Sequence, residues 1–278
     1  MPRMPELPEV ETIRRQIAPL LEGRHIARAW AGLARITRPS VDAFVEGVRG
    51  RRIEAVRRRG KHMFLPLDDG SVLRVHLGMT GRLEVEPLVD VPPSRAHVHA
   101  VLELSDGQRL VFSDPRTFGE IGVTSDLSFL DALGPEPLDD GFDEGALVER
   151  LRSKRCAVKT ALLDQRMVAG VGNIYADEIC FLGGVRPDRV AATLSRARLA
   201  RLVSHIRPVL ERAVETQGAT ARPTGRYYDI FGQSGAFIPH VYGRTGEPCA
   251  ACGTSIKKAS LGAGRSARAY HWCSRCQR

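Results

Sequence analysis

Four cysteines near the C-terminus constrain the fold of this sequence more than any other feature. Cys249 and Cys252 form one C-x2-C pair, Cys273 and Cys276 form a second, and 20 residues separate the pairs. This spacing is typical of a zinc ribbon, in which two tight turns direct four thiolates at one ion. Four protein ligands leave no open coordination position. The sequence therefore predicts one structural Zn²⁺, which orders a segment of ~40 residues that is too small to build its own core.

The other two cysteines, Cys156 and Cys180, stand apart from these pairs and are predicted to be packing residues. The N-terminus lacks the apolar core of a signal peptide, and no run approaches the ~18 apolar residues of a membrane-spanning helix. We therefore expect a cytoplasmic protein with no membrane partner. In that compartment, cysteines favour metal binding over a disulfide framework.

Positive charge is concentrated at both ends of the chain. The 278 residues include 41 Lys or Arg and 32 Asp or Glu, which gives a formal charge of +9. Residues 1–60 and 237–278 each carry a net charge of +6, whereas residues 126–149 contain eight acidic and no basic side chains. A merely solvated basic surface is one interpretation. The clustering favours the other, a surface that binds nucleic-acid phosphates.

Hydropathy patterns predict the secondary structure. Apolar residues at spacings of three and four predict an amphipathic helix over residues 8–21. Short apolar segments broken by Gly, Pro and Asp over residues 26–123 predict an antiparallel β-sandwich, with hairpin turns at Asp68-Asp69-Gly70 and Ser105-Asp106-Gly107. The helices predicted after this region cover residues 144–152, 156–168, 173–182 and 194–216.

The expected fold class is α+β with several domains. Residues 1–134 are predicted to form an N-terminal helix and β-sandwich domain, residues 135–236 a helical domain, and residues 237–278 a zinc finger. Gly134-Pro135-Glu136-Pro137 is predicted to be the linker between the first two. Residues 218–236 are rich in Gly, Ser and Thr and are predicted to be a mobile loop.

Six short blocks occur in an order that matches a known family. They are residues 4–11 (MPELPEVE), 59–61 (RGK), 76–81 (HLGMTG), 114–119 (DPRTFG), 170–176 (GVGNIYA) and 241–244 (VYGR). With the cysteine module they closely resemble the formamidopyrimidine-DNA glycosylase family, bacterial base-excision repair enzymes related to endonuclease VIII. The resemblance covers nearly all of residues 4–278. It implies a catalytic N-terminal domain, a helix-two-turn-helix DNA-binding domain and a C-terminal zinc finger.

The resemblance implies a bifunctional DNA glycosylase and abasic-site lyase. Such an enzyme removes oxidised purines, such as 8-oxoguanine or formamidopyrimidine, from double-stranded DNA through a Schiff base and nicks the strand by β,δ-elimination. Pro5 is implied as the nucleophile, Glu6 as the acid that protonates the sugar ring oxygen, and Lys61 as a residue near the lesion and its phosphate. Because a proline nitrogen inside a peptide bond has no free lone pair, we expect translation to start at Met4, whose removal exposes Pro5.

The resemblance also implies six DNA-binding residues. They are Met79, Arg116, Phe118, Lys159, Asn173 and Arg268. Met79, Arg116 and Phe118 match residues that fill the hole left by a flipped base, whose unstacking costs a few kcal/mol. Asn173 matches a residue that contacts the phosphates flanking the lesion, and Arg268 a zinc-finger arginine that grips the same backbone.

Other positions carry weaker expectations. Lys159 is expected near the damaged base, and Glu9 is expected to assist Glu6. Thr117 departs from the basic residue that the resemblance implies there, which weakens one phosphate or groove contact. His97 and His99 alternate on one strand face. They are predicted to be buried or capping histidines rather than a second metal site.

Two alternative functions remain open. An endonuclease VIII-like enzyme would prefer oxidised pyrimidines, although residues 76–81 and the Arg116-x-Phe118 pair favour the purine branch. A non-catalytic DNA-binding zinc protein would keep the basic ends and the cysteines but would not need Glu6. In each case we expect a monomer associated with the nucleoid, without a redox cofactor or catalytic metal.

Overall fold

The fold was obtained as a computed structural model, which describes residues 5–88, 95–219, 227–264 and 267–278. The helices in this part of the chain are α1 (Leu7–Leu21), α2 (Val41–Val48), α3 (Glu144–Arg152), α4 (Val158–Leu163), α5 (Asn173–Leu182), α6 (Arg196–Val203) and α7 (Ile206–Glu215). The strands are β1 (Ile26–Ala31), β2 (Thr37–Arg38), β3 (Arg57–Arg59), β4 (His62–Pro66), β5 (Val72–His76), β6 (Arg82–Pro87), β7 (Val98–Leu104), β8 (Gln108–Ser113), β9 (Glu120–Thr124), β10 (Ile256–Leu261) and β11 (Arg268–Cys273).

The chain divides into two compact units. The first consists of the described residues within Met1–Leu130 and Thr220–Gly235, and the second of those within Asp131–Ala219 and Ala236–Arg278. The helices α3 to α7 and the cysteine module therefore share one unit. The division into three functional domains stays a prediction.

Two sheets form the first unit. One has the strand order β1-β7-β8-β6 and the other the order β2-β9-β5-β4-β3. Buried side chains from both sheets, from α1 and from α2 belong to one hydrophobic cluster. The predicted β-sandwich is confirmed, with one difference: β2 pairs with β9 in parallel, over two residues.

The predicted N-terminal helix is confirmed as α1. Its spacing of apolar residues places Val10, Ile13 and Ile17 in the core of the first unit. The helix begins with a capping interaction, because the backbone N–H of Glu6 donates to Oε2 of Glu9 at 2.9 Å. The start of α1 is thus fixed in place, and the candidate catalytic residues lie there.

Both predicted hairpin turns are confirmed. Gly70 has a φ of +82° in the turn between β4 and β5, and Gly107 has a φ of +81° between β7 and β8. This left-handed backbone is accessible to glycine without steric cost.

Two of the helices predicted for the second unit differ from the observed ones in their bounds. The helix predicted over residues 194–216 is two helices, α6 and α7, separated at Ser204 and His205. Pro208 explains the break, because proline cannot donate a hydrogen bond to the carbonyl of Ser204 and its ring would clash there. The helix predicted over residues 156–168 is only α4, which ends before a turn in which Asp164 accepts from the N–H of Arg166.

The cysteine module contains a hairpin of β10 and β11 that shares a small hydrophobic cluster with α5. Ile256 of β10 pairs with Cys273 of β11, and both belong to a cluster that includes Phe181 and Val241. No helix in the described part of the chain combines the length and the hydropathy that crossing a bilayer requires.

Candidate functional site

Two acidic residues and one lysine are buried together around the start of α1. Glu6 is 3% exposed, Glu9 is 2% exposed and Lys61 is 7% exposed. Pro5, which is also buried, directly precedes Glu6. Burial lowers the pKa of Lys61, and the negative charges of Glu6 and Glu9 act in the opposite direction. The structure therefore brings the ammonium of Lys61 close to the carboxylates that flank the helix start, an arrangement suited to proton transfer.

Lys61 owes its position to a tight hairpin. Gly60 and Lys61 form the two-residue turn between β3 and β4, in which Arg59 pairs with His62. Gly60 has a φ of +56°, which favours glycine at this first turn position. The expected start at Met4 falls in residues 1–4, which lie outside the described residues.

The predicted gap-filling residues occupy two adjacent loops of the first unit. Met79 lies in the loop after β5, and Arg116 and Phe118 lie in the turn before β9. A Cβ atom on Gly78 would stand 2.4 Å from the carbonyl carbon of Phe118, so the two loops are in close backbone contact. The Arg116 guanidinium lies 4.8 Å from the centre of the Phe118 ring, and Phe118 is 49% exposed. The structure thus brings these three residues together.

Asp114 organises this turn, and sequence reasoning assigned it no role. One carboxylate oxygen accepts from the Thr80 hydroxyl and from the N–H of Arg116, and the other accepts from the N–H of Phe118 at 2.9 Å and of Gly119 at 2.7 Å. An aspartate before a proline is a turn signal, because such side chains bond to backbone N–H groups that follow them. That signal was available in the sequence.

We expect Asp114→Ala to lower the free energy of unfolding by about 2 kcal/mol or more, because it leaves the buried N–H of Gly119 and the partly buried N–H of Phe118 without their acceptor at about 1–3 kcal/mol each. Urea unfolding of the variant measures this loss. Asp69→Ala is a suitable control, since Asp69 accepts from Ser71 in an exposed turn. Equal losses for the two variants would contradict the role given to Asp114.

A cavity of about 440 Å³ borders the same turn. Its lining includes His62, His76, Thr117 and Phe118. Burial, helped by the positive charges of Arg74 and Lys61, lowers the pKa of His62 to about 3 and that of His76 to about 4. Both imidazoles are therefore neutral at physiological pH.

Two sequence expectations in this region can be compared with the structure. Thr117 has a φ of +53°, a strained conformation for a β-branched residue. His99 Nε2 lies 2.9 Å from the carbonyl oxygen of Asp114, and the carbonyl oxygen of His97 accepts from the N–H of Asp114. His99 is partly buried, whereas His97 is exposed and precedes β7, so the predicted burial is wrong for His97.

The loop predicted to be mobile lies partly within the described residues. Residues 220–226 lie outside the described residues, but the segment after them is bonded to α1. The Tyr227 hydroxyl donates to the carbonyl of Glu9 at 3.2 Å, and Gln16 donates to Asp229 at 2.8 Å. These bonds tie residues 227–229 to α1, and the mobility of the loop stays a prediction.

Asn173 begins α5 in the second unit. Gly172 is the N-cap of this helix, and Asn173 is its first residue. Asn173 Nδ2 donates to the hydroxyl of Tyr242 at 3.1 Å, whereas its Oδ1 is buried without a hydrogen-bond partner among the described residues. The side chain thus has hydrogen-bonding capacity that the described chain does not use.

Lys159 requires a correction. Its side chain is fully buried, and its ammonium donates to Asp177 at 2.7 Å and to the carbonyls of Asn173 and Ala269. An ammonium has three donors, and all three are used inside the protein. The prediction that Lys159 binds DNA directly is therefore not supported: in this structure it links α4, α5 and β11.

Two adjacent acidic residues on α5 were missed by sequence reasoning. Asp177 accepts from the backbone and the imidazole of His271, and Glu178 accepts from the N–H groups of His240, Val241 and Tyr242. Both carboxylates are fully buried. Their signal was an Asp-Glu pair inside an otherwise apolar helix, since a buried charge requires partners.

The four predicted metal ligands converge. Their sulfur atoms all lie within 4.8 Å of one another, and the Cys252 to Cys273 and Cys249 to Cys276 distances are 3.4 and 3.9 Å. Tetrahedral ligation at a metal–sulfur distance of ~2.3 Å places sulfurs ~3.8 Å apart, so this donor set fits a zinc-sized ion. The cluster can hold a metal ion.

The remaining cysteines, Cys156 and Cys180, both lie in the second unit. Cys180 is fully buried, which confirms it as a packing residue, and Cys156 is partly buried.

Arg268 is exposed at the start of β11, opposite Leu261 of β10. Its guanidinium is thus accessible from solvent.

Comparison with known families matches most of the chain. Residues 4–121 match the family described as "Formamidopyrimidine-DNA glycosylase N-terminal domain", and residues 133–224 match "Formamidopyrimidine-DNA glycosylase H2TH domain". The curated formamidopyrimidine-DNA glycosylase of Ruegeria pomeroyi is 40% identical, covering 99% of this chain and 100% of the relative. That of Chloroflexus aggregans is 43% identical, covering 99% and 98%.

Solved structures of proteins named Fpg are similar to this chain in fold. The MutM (Fpg) protein from Thermus thermophilus has a TM-score of 0.86 at 38% identity, covering 98% of each chain. Lactococcus lactis Fpg in complex with DNA that contains an abasic site has a TM-score of 0.89 at 31% identity, covering 98% of this chain and 99% of that one. The same Lactococcus protein in complex with DNA containing Fapy-dG has a TM-score of 0.87 at 30% identity, covering 98% and 100%.

Proposed function

Because the chain belongs to the formamidopyrimidine-DNA glycosylase family, and is therefore a DNA-repair enzyme with glycosylase and abasic-site lyase activity, we propose that it excises oxidised purines through a Schiff base on Pro5. The observation that carries this proposal is the buried group of Glu6, Glu9 and Lys61 at the start of α1, immediately after Pro5. A non-catalytic DNA-binding protein has no need to bury three ionisable groups there.

The proposal requires a free amine on Pro5. The match to the family begins at residue 4, which supports a working chain that starts at Met4 and loses it. An α-amino group titrates near ~7.7–8.0, and the positive end of α1 favours its neutral, nucleophilic form. Mass spectrometry of the active enzyme is expected to give a chain that begins at Pro5. An active enzyme that retains Met1 or Pro2 would exclude this route.

The reaction then follows from the groups at the helix start. The Pro5 nitrogen donates its lone pair to C1′, and the bond between C1′ and the ring oxygen breaks as Glu6 protonates that oxygen. The Pro5 nitrogen then gives up its proton, and its lone pair expels the base, which takes the bonding pair and a proton; an iminium, or Schiff base, now joins Pro5 to the sugar. Loss of a proton from C2′ expels the 3′ phosphate as the C3′–O bond breaks. Loss of a proton from C4′ then expels the 5′ phosphate as the C5′–O bond breaks, and the strand is nicked on both sides of the sugar. Lys61 supplies positive charge near the lesion and its phosphate.

Met79, Arg116 and Phe118 are proposed to fill the space left by the flipped nucleotide. Their grouping on two touching loops, with an exposed aromatic ring beside a guanidinium, supports this role. The guanidinium of Arg116 offers hydrogen bonds to the orphaned base, which we propose to be cytosine.

Asn173 and Arg268 are proposed to contact the phosphates of the damaged strand. Rotation of the Asn173 amide by 180° lets the Tyr242 hydroxyl donate to Oδ1 and leaves Nδ2 available as a donor. Backbone N–H groups at the start of α5 add to this anion-binding capacity. Arg268 contributes a solvent-accessible guanidinium.

The metal is proposed to be one Zn²⁺ held by the four cysteines. An all-thiolate tetrahedral donor set is typical of structural zinc. The ion supplies no chemistry to the reaction; it closes the hairpin that carries Arg268. The partner is proposed to be double-stranded DNA with an oxidised base or abasic site, bound by a monomer.

Borohydride trapping tests the proposed function. With the mature chain and a duplex containing 8-oxoguanine opposite cytosine, reduction of the iminium is expected to yield a covalent protein–DNA adduct. Failure to trap an adduct with a verified Pro5 terminus would refute the Schiff-base route. Faster excision of thymine glycol than of 8-oxoguanine would instead favour the pyrimidine-specific alternative.

A further inference from the structure

An arginine on β3 connects the helix that carries the catalytic residues to the turn that carries Lys61. Nε of Arg58 donates to Oε2 of Glu11 on α1 at 3.0 Å, and Nη1 of Arg58 donates to the carbonyl oxygen of Gly60 at 2.9 Å. The side chains of Arg58 and Glu11 are only 7% and 9% exposed. One guanidinium therefore holds α1 and the Gly60-Lys61 turn together, from within the protein.

Glu11 is committed to this role by its surroundings. Its carboxylate also accepts from Arg14 and from Arg15, at 2.8 Å in each case. Burial by itself would raise the pKa of Glu11, but hydrogen bonds from Arg14 and Arg15 and the charge of Arg58 outweigh it and lower the pKa to about 2. The carboxylate is ionised throughout the pH range in which a repair enzyme works.

The Gly60-Lys61 turn lies at the end of a short edge strand, so the bonds from Arg58 add to its support. β3 has three residues and lies at the edge of its sheet, so it has β4 as its neighbour on one side only. Lys61 sits at the tip of this hairpin, and its buried ammonium must lie near Glu6 and Glu9. A guanidinium can make both bonds at once because its N–H groups form a rigid fork, whereas a lysine ammonium is a single point of charge.

We propose that Arg58, anchored by Glu11, is a positioning residue for Lys61. It touches neither the substrate nor the reacting atoms; it fixes the turn so that the ammonium meets the carboxylates at the start of α1. The inference rests on the proposed role of Lys61 and adds to it a residue pair that sets its geometry. A displacement of about 1 Å at a reacting group can cost on the order of 10²-fold in rate.

A double-mutant cycle tests this. Single-turnover nicking of a duplex with an abasic site is measured for the unmodified enzyme and for Arg58→Gln, Lys61→Ala and the double variant. Arg58→Gln is expected to slow nicking by roughly 10- to 100-fold with little change in DNA affinity. In the Lys61→Ala background the same change is expected to slow nicking by less than about twofold, because residues that act through each other are non-additive. Equal factors in both backgrounds would overturn the proposal.

Two further variants separate positioning from general stability. Arg15→Gln removes a bond to the same carboxylate from a side chain that is 59% exposed, and it is expected to leave the nicking rate unchanged. Arg58→Lys keeps the charge but not the fork and is expected to remain slow. If Arg58→Gln does not fold, Glu11→Gln takes its place in the cycle. A rate for Arg58→Lys equal to that of the unmodified enzyme would contradict the need for both bonds.

Failure of the positioning role of Arg58 can be distinguished from failure of the proposed Schiff-base route. If the unmodified enzyme nicks abasic DNA but borohydride traps no adduct, the Schiff-base route fails, and the cycle still reports on Arg58. If an adduct forms and the two factors in the cycle are equal, the Schiff-base route stands and Arg58 does not act through Lys61.

Discussion

Glu6→Gln is expected to slow excision of 8-oxoguanine by roughly 10²- to 10⁴-fold, the range that a positioned proton donor contributes. Glutamine keeps the size of the side chain at this buried position but cannot transfer a proton to the sugar ring oxygen. DNA affinity is expected to persist, since the change removes a negative charge. Single-turnover excision and a gel-shift titration measure the two quantities separately.

Glu46→Gln provides the matched control for this variant. Glu46 is exposed on α2 in the same unit, and its change to glutamine is expected to leave excision unaffected. Glu6→Asp keeps a carboxylate with a shorter reach and is expected to be intermediate. Excision by Glu6→Gln within about threefold of the unmodified enzyme would remove Glu6 from the chemical step.

Removal of the metal is expected to unfold the cysteine module and to abolish tight binding of lesion DNA. Apart from cysteines, the module contributes the buried residues Val241 and Ile256 to the cluster that it shares with Phe181 of α5, and burying such a side chain contributes about 1.5–3 kcal/mol. Ordering costs about 1–2 kcal/mol per residue, so these contacts do not fold ~40 residues. Structural zinc sites contribute apparent binding free energies of about 10–16 kcal/mol.

Cys273→Ser tests this expectation without a chelator. Metal analysis is expected to fall from one zinc per chain to none, and hydrogen exchange is expected to show loss of protection in β10 and β11. Cys156→Ser, outside the cluster, is expected to retain the metal. A metal-free chain with a protected β10–β11 hairpin would show that the module folds without an ion.

Local patterns were informative wherever neighbouring residues decide the structure. Spacing of apolar residues predicted α1, α3 and α5 close to their observed bounds, because a helix is held by contacts between residues three and four apart. The same logic failed at α6 and α7, where Pro208 interrupts a continuous apolar face. Periodicity reports which face is buried but not whether every backbone bond can form.

In the candidate site, too, the sequence identified some residues that the structure brings together and one that it places elsewhere. Motif resemblance pointed to Glu6 and Lys61, and the structure brings them close. It also pointed to Lys159, whose ammonium is instead bonded inside the second unit to a carbonyl 110 residues away. A motif identifies a residue type at a position, but burial depends on elements distant in the sequence.

The metal cluster, the main helices and the turns could be predicted from the chain's own residue order, because their partners lie within a few residues or follow a fixed spacing. Two contacts could not be predicted in this way: Arg58 donates to Glu11 across 47 residues, and Thr80 donates to Asp114 across 34 residues. Such contacts form only when separate elements pack, since a buried charge takes whichever partner the packed core presents to it.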